Sequence, residues 1–219
     1  MVHIYYHIYA IDGVEAIIDE QLSLIEKHFD FPYILNVGIS VAKDQTSTSY
    51  IVDKFYNFQK PNYRIRDIRF AASEWTTLDL IEKDKESFGN SDYILYLHTK
   101  GASKFNSDDY PNIESWRKLM NYFNIEKCKD VIRIFDQTDF NTYGCLYGRV
   151  GSWILYSGNF WWMKAEYAKS IDGSGDRTNR FGAEIDYIQK GKDWQPYSHY
   201  NREGEYHYGI NFKREEYAI

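Results

Sequence analysis

The chain has little with which to build covalent or metal staples. Its two cysteines, Cys128 and Cys145, stand far apart, outside any Cys-x-x-Cys and without a His-rich partner segment. That argues against a disulfide framework or a structural zinc site and fits a reducing compartment. Positive charge is short as well. Lys and Arg number 26 against 32 Asp and Glu, a net charge of −6, and without a basic face to neutralise phosphates a nucleic-acid partner is not expected. No apolar run approaches the ~20 residues that span a bilayer. Residues 1–13 carry no basic n-region, so a soluble, cytoplasmic protein with no membrane span is expected. Gly-x-Gly-x-x-Gly does not follow the first apolar run, where the chain reads Ala10-Ile11-Asp12-Gly13, and no Gly-Lys is followed by Ser or Thr. A dinucleotide-binding oxidoreductase and a P-loop NTPase both lose their phosphate loop. Neither an internal repeat nor a low-complexity linker interrupts the 219 residues, which makes residues 1–219 one domain. The last residues, 212–219, form no Pro/Gly linker or tail, and that abruptness points to one module of a longer polypeptide.

What the chain does have is aromatic side chains: 21 Tyr, 13 Phe and 6 Trp. Most are needed to fill a core, but Tyr and Trp also present an apolar face with a polar tip, which suits sugars and bases. The order of elements is readable. Residues 3–11 form a buried strand, and Asp12 with Glu15 has capping-box spacing at the start of a helix. Val14, Ile17, Ile18, Leu22, Ile25 and Phe29 keep the helical period. A second strand covers 33–41. A Ser/Thr-rich cap at 46–49 leads into a helix through Val52 and Phe55 that Pro61 stops. A third strand at 63–70 precedes a short helix with Trp75, Leu78 and Ile81. The apolar run at 93–97 is the fourth strand, and 113–135 is helical with a break near Asn124. From 143 onward, short Gly-bounded strands alternate with short helices.

Strands alternating with helices imply parallel β-α units, with ligands outside the carboxyl ends of the strands. That rule places the chemistry at 9–12, 37–40 and 98–100. The same positions carry a resemblance. Tyr96-Leu97-His98-Thr99-Lys100-Gly101, Trp116-Arg117, Ser157-Gly158-Asn159-Phe160-Trp161-Trp162 and Ala183-Glu184, spread over roughly residues 1–200, together resemble a GT-A-like glycosyltransferase family found in giant viruses, chloroviruses among them, in bacterial polysaccharide loci and in rhamnan-synthesis proteins. The resemblance implies a GT-A-like, Rossmann-related α/β fold with a mixed, mostly parallel central sheet flanked by helices. It also implies transfer of a hexose or rhamnose from a UDP-sugar donor to a glycan acceptor such as the N-glycan of a viral capsid protein, in the host cytoplasm if the chain is viral. One feature departs from the family pattern. Its Asp-x-Asp, which holds a divalent metal against the diphosphate, occurs nowhere in this chain.

Glycosyl transfer develops positive charge at the anomeric carbon and negative charge on the leaving diphosphate, so cations and a carboxylate must flank the reacting centre. Lys100, just past the fourth strand, can neutralise the β-phosphate in place of a metal. His98 can ligate Mn²⁺ or Mg²⁺ or hydrogen-bond the phosphate, with His199 and His207 as further metal candidates. Glu184 and Asp186 occupy the place where the family carries the carboxylate that deprotonates the acceptor or steadies the oxocarbenium-like centre. Glu184 is also what dipole stabilisation of a first helical turn would select. Asp79 is a third catalytic candidate, and with Thr77 it lies on a segment expected to touch the donor sugar or ribose. Tyr9, Ala10, Ile11 and Gly38 are expected to form the uracil pocket. Gly158 and Asn159 suit hydrogen bonds to sugar hydroxyls, and among Arg64, Arg66 and Arg69 any one can reach a phosphate or support a carboxylate. Trp161 and Trp162 are expected in the core. A non-catalytic carbohydrate-binding module is the alternative the aromatic content allows.

Overall fold

The computed structural model describes residues 1–42, 49–57, 62–70, 73–150, 152–179, 181–202 and 206–218. The expected cap at Thr46, Ser47 and Thr48 and the stop at Pro61 lie outside the described residues. Four strands, β1 (Val2–Ala10), β2 (Tyr33–Val41), β3 (Tyr63–Phe70) and β4 (Tyr93–His98), alternate with α1 (Glu15–His28), α2 (Ser49–Asn57) and α3 (Trp75–Asp84). Then come α4 (Tyr110–Asn121), α5 (Cys128–Gln137), β5 (Thr142–Gly144), β6 (Tyr147–Val150), β7 (Trp153–Tyr156), β8 (Trp161–Lys164), α6 (Ala165–Ser170), α7 (Gly182–Ile185), β9 (Pro196–Ser198) and α8 (Arg214–Tyr217).

The main sheet has seven strands in the order β3-β2-β1-β4-β8-β5-β9, and β6 and β7 pair separately as a two-stranded ribbon. The first four strands are mutually parallel, β8 runs antiparallel to both β4 and β5, and β9 is parallel to β5. The result is an α/β domain with a mixed, mostly parallel sheet flanked by helices. Among the described residues no helix is long and apolar enough to cross a membrane.

Strands buried on both faces read as largely apolar runs; β1, β2 and β4 do so, with His7, Asn36 and Ser40 as buried polar exceptions. The period of two divides β1: Ile4, Tyr6, Ile8 and Ala10 join the core beneath α1 and α4, while Tyr5 joins the core beneath α3. Every apolar position that set the helical period of α1 is buried. Its start differs from expectation. The N-cap is Val14, with no side-chain cap bond, because Gly13 at φ +87° turns the chain so that Val14, not Asp12, enters the helix from the core. The break expected near Asn124 is a π-helical turn over Tyr122–Glu126. There Asn124 Nδ2 donates to the Met120 carbonyl, and the Asn124 carbonyl accepts the Trp162 indole N–H, a partner that a continuous α-helix would have used internally. Trp161 and Trp162 are both fully buried on β8, as expected.

Candidate functional site

The strand order places β1 and β4 side by side at the centre of the sheet, and β1 connects outward through β2 and β3 while the chain returns to β4. This is the switch point where open α/β sheets hold ligands. Gly38, His7 and His98 align across β2, β1 and β4, and the first turn of α3 lies on this row. A Cβ on Gly38 would overlap Thr77 Oγ1 and come within 3.1 Å of the Thr77 Cα, so glycine here is what lets the helix approach the sheet. A polar layer results. Ser40 Oγ donates to the Ser73 carbonyl and lies 3.0 Å from Thr76 Oγ1, and His7 Nδ1 lies 3.0 Å from Thr77 Oγ1.

His7 is 3 % exposed. Burial drives its pKa down to about 4, against the opposing pull of Glu74, so the imidazole is neutral at pH 7. The stabilising contribution is complete above the ordinary histidine value of 6.5. Below it the unfolded chain takes up a proton that the folded chain refuses until about pH 4, so stability declines across that window by about 3 kcal/mol. In His7→Gln the urea midpoint should fall less steeply between pH 6.5 and 4.5 than in the wild type; equal slopes would refute the assignment.

Beside this layer the chain reverses at Gly158 and Asn159, both at positive φ, +93° and +58°. Each is held by a carboxylate. The Gly158 N–H donates to Glu184 Oε1 at 2.7 Å, and Asn159 Nδ2 donates to Glu74 Oε2 at 2.6 Å. His98 Nε2 meets the Gly158 carbonyl at 2.9 Å, the Trp161 indole N–H donates to Asn159 Oδ1, and Tyr96 Oη donates to Glu74 Oε2 at 2.7 Å. Burial pushes the Glu74 carboxyl up, but the His98 and His7 imidazoles and the bonds from Tyr96 and Asn159 outweigh it and hold the pKa below the ordinary value. With His7 neutral, the hydrogen bonds from Tyr96 and Asn159 remain to hold Glu74 ionised.

Lys100 sits past the end of β4, where the Tyr9 N–H donates to Thr99 Oγ1 and Gly101 turns the chain at φ +91°. The Lys100 carbonyl accepts from Arg117 Nη1, a buried guanidinium paired with Glu20 at 3.0 Å. Its ammonium lies 4.2 Å from the centre of the Trp116 ring and 5.6 Å from that of Tyr208. Lys100 is half-buried and forms no ion pair with a described carboxylate. A cation held only by ring faces keeps its charge available to an anion.

His98, Gly158, Asn159 and Glu184 therefore converge, Trp116, which packs against Gly158, carries Lys100 beside them, and Thr77 lies one layer below against His7. Tyr9 and Ile11 are half-buried at the carboxyl end of β1, while Ala10 points into the core and gives its carbonyl to the Ala42 N–H. Other expected residues serve elsewhere. Asp79 is paired with Arg69 at 2.7 Å and Arg177 at 2.8 Å, one to each oxygen, so its charge is committed to an ion network. Arg66 is bonded to both oxygens of Asp84 and to Asn36; α3 runs back along the sheet, so its last residue, Asp84, draws Arg66 toward the amino end. Gly38 is a packing glycine under Thr77 rather than part of a base pocket. Asp186 accepts the Asp176 N–H at 3.3 Å and ties down the 172–179 segment.

The three histidines do not make a metal site. His207 has Nδ1 against Ser157 Oγ and Nε2 against the Arg202 carbonyl, His98 spends Nε2 on Gly158, and His199 packs on Phe123 and Tyr143. Among the described residues no three His, Cys, Asp or Glu side chains come together as a metal site. Two clefts of about 360 and 380 Å³ are lined by residues of α1, α4 and α8 with Glu126 and the 211–213 segment, and not by Lys100, His98, Glu74 or Glu184. Sequence reasoning missed Glu74, His7, Trp116 and Tyr208 as parts of the site. The one available signal was an acid immediately ahead of the α3 apolar pattern, which looks the same when it merely caps a solvated helix.

No protein-family model matches the chain, and no curated protein matches it either.

Proposed function

We propose that this chain is a nucleotide-sugar-dependent glycosyltransferase of the GT-A type that moves a hexose or rhamnose from a UDP-sugar to a glycan acceptor. The observation that carries the reading is Lys100, a cation without a carboxylate partner among the described residues, resting on Trp116 and Tyr208 at the carboxyl end of a central parallel strand. Departure of the diphosphate needs positive charge at that edge, and a pre-placed ammonium supplies it without reorganisation. At the Gly158-Asn159 turn, Glu184 offers the carboxylate that accepts the proton of the incoming hydroxyl. The bond to the sugar breaks toward Lys100, and the bond to the acceptor oxygen forms on the Glu184 side.

Isothermal titration with UDP tests this. Lys100→Met should weaken UDP binding about 30-fold, the worth of one charge-assisted contact, and EDTA or added Mn²⁺ should leave the wild-type affinity unchanged. Absence of UDP binding under every condition would sink the proposal. A non-catalytic carbohydrate-binding module is the second reading, favoured by the ring pair Trp153 and Phe181, 42 % and 45 % exposed with centroids 6.1 Å apart. It predicts glycan binding with no affinity for UDP.

A further inference from the structure

We infer that Glu74 reads the transferred sugar, its Oε1 accepting a hydroxyl of the donor pyranose, an inference that rests on the nucleotide-sugar reading above. The two oxygens of this carboxylate are not equivalent. Oε2 accepts both the Tyr96 hydroxyl and the Asn159 amide, at 2.7 and 2.6 Å, so β4 and the Gly158-Asn159 turn fix the position of the group. Oε1 accepts no hydrogen bond from a described residue, although the side chain is only partly exposed. An ionised oxygen that solvent reaches and no described group occupies is open to a ligand's donor, and the class of ligand it takes is set by charge. A phosphate is repelled. A neutral hydroxyl donates a short, charge-assisted bond.

The arrangement separates the two halves of a nucleotide sugar. Lys100 attracts the diphosphate, while Glu74 repels it and accepts from the polyol. Glu184 is bonded to Gly158 as Glu74 is to Asn159, so adjacent residues of one turn set two carboxylates, one for the acceptor and one for the donor sugar. The side chain of Asn159, expected from sequence to touch sugar directly, is instead used on both ends, by Glu74 and by Trp161. It acts through Glu74 as a positioning residue.

The test compares UDP with UDP-glucose and UDP-rhamnose by titration calorimetry, taking whichever sugar nucleotide binds more tightly. In the wild type its affinity should exceed that of UDP. Glu74→Gln, which turns the free acceptor into a donor, should cut that advantage about tenfold and leave UDP itself bound no more weakly than by the wild type, since the substitution removes a charge that repels the diphosphate and none of its contacts. Monodeoxy analogues of the same donor, titrated into the wild-type protein, give a readout that does not depend on a variant folding: one analogue should lose about tenfold, and the same analogue should lose nothing further in Glu74→Gln. If UDP fails to bind the wild type, the transferase reading and this inference fall together. If UDP binds normally but Glu74→Gln keeps the full sugar advantage, or no monodeoxy analogue is weakened, the assignment of Glu74 alone is overturned.

Discussion

Gly158→Ala is expected to lower the unfolding free energy by about 4 kcal/mol, the sum of two separate effects. The first is conformational: φ is +93°, where an L side chain crowds the following carbonyl, at roughly 1–2 kcal/mol. The second is steric. The added Cβ would overlap Met120 Sδ and come within 3.0 Å of the Met120 methyl and of Trp116 Cζ2, and overpacking of a filled core costs roughly 1–3 kcal/mol. Neither neighbour can retreat easily, because Trp116 and Met120 are themselves buried on α4. Gly209→Ala is the control. Its nearest neighbour would be Tyr206 Cδ1 at 3.6 Å and its φ is ordinary, so its urea midpoint should stay close to that of the wild type. A Gly158→Ala midpoint equal to the Gly209→Ala midpoint would mean that the turn is not held as described. The substitution also reaches the site, since the Gly158 peptide joins Glu184 to His98. UDP-sugar binding should weaken with stability in Gly158→Ala and not in Gly209→Ala.

The sheet was legible where burial on both faces leaves a compact, largely apolar run, at 33–41 and 93–97, and where an edge strand alternates, at 63–70; the helices were legible where Val14 to Phe29 and Trp75 to Ile81 keep a period of 3.6. The later strands were only partly legible. Segments of three or four residues such as 142–144 and 161–164 carry too few positions to show alternation, and nothing local says that β8 runs against β4. Lys100, Glu184 and the Gly158-Asn159 turn could be picked out because strand ends and left-handed turns leave local marks. Asp79 could not be judged in the same way. Its partners Arg69 and Arg177 lie on β3 and on a segment 98 residues away, so a carboxylate committed to two ion pairs looked like a spare one. Arg66 was misplaced for the complementary reason: sequence shows that it lies in β3 but not which end of the sheet Asp84 will occupy. Glu74 was overlooked because its meaning comes from Tyr96 and Asn159, 22 and 85 residues away.

Turnover should separate the two carboxylates of the 184–186 segment. Glu184→Gln is expected to lower kcat by about 10²–10⁴-fold, the range for a positioned proton acceptor, with the affinity for UDP within about threefold of the wild type. Asp186→Asn should leave kcat within about twofold, because its recorded bond is to the Asp176 N–H and a neutral amide oxygen can accept that bond equally well. The contrast follows from geometry. Glu184 Oε1 is committed to Gly158, which aims the group along the turn beside His98 and Asn159 and leaves Oε2 without a described hydrogen-bond donor, whereas Asp186 faces the 172–179 segment on the other side of the single turn of α7. Glutamine preserves the acceptor for Gly158 and removes only the basicity of the second oxygen, so a large fall in kcat with unchanged donor affinity isolates proton transfer from positioning. Wild-type turnover in both variants would remove Glu184 from the reaction. A loss confined to Asp186→Asn would require the 172–179 segment, and not the Gly158-Asn159 turn, to face the acceptor.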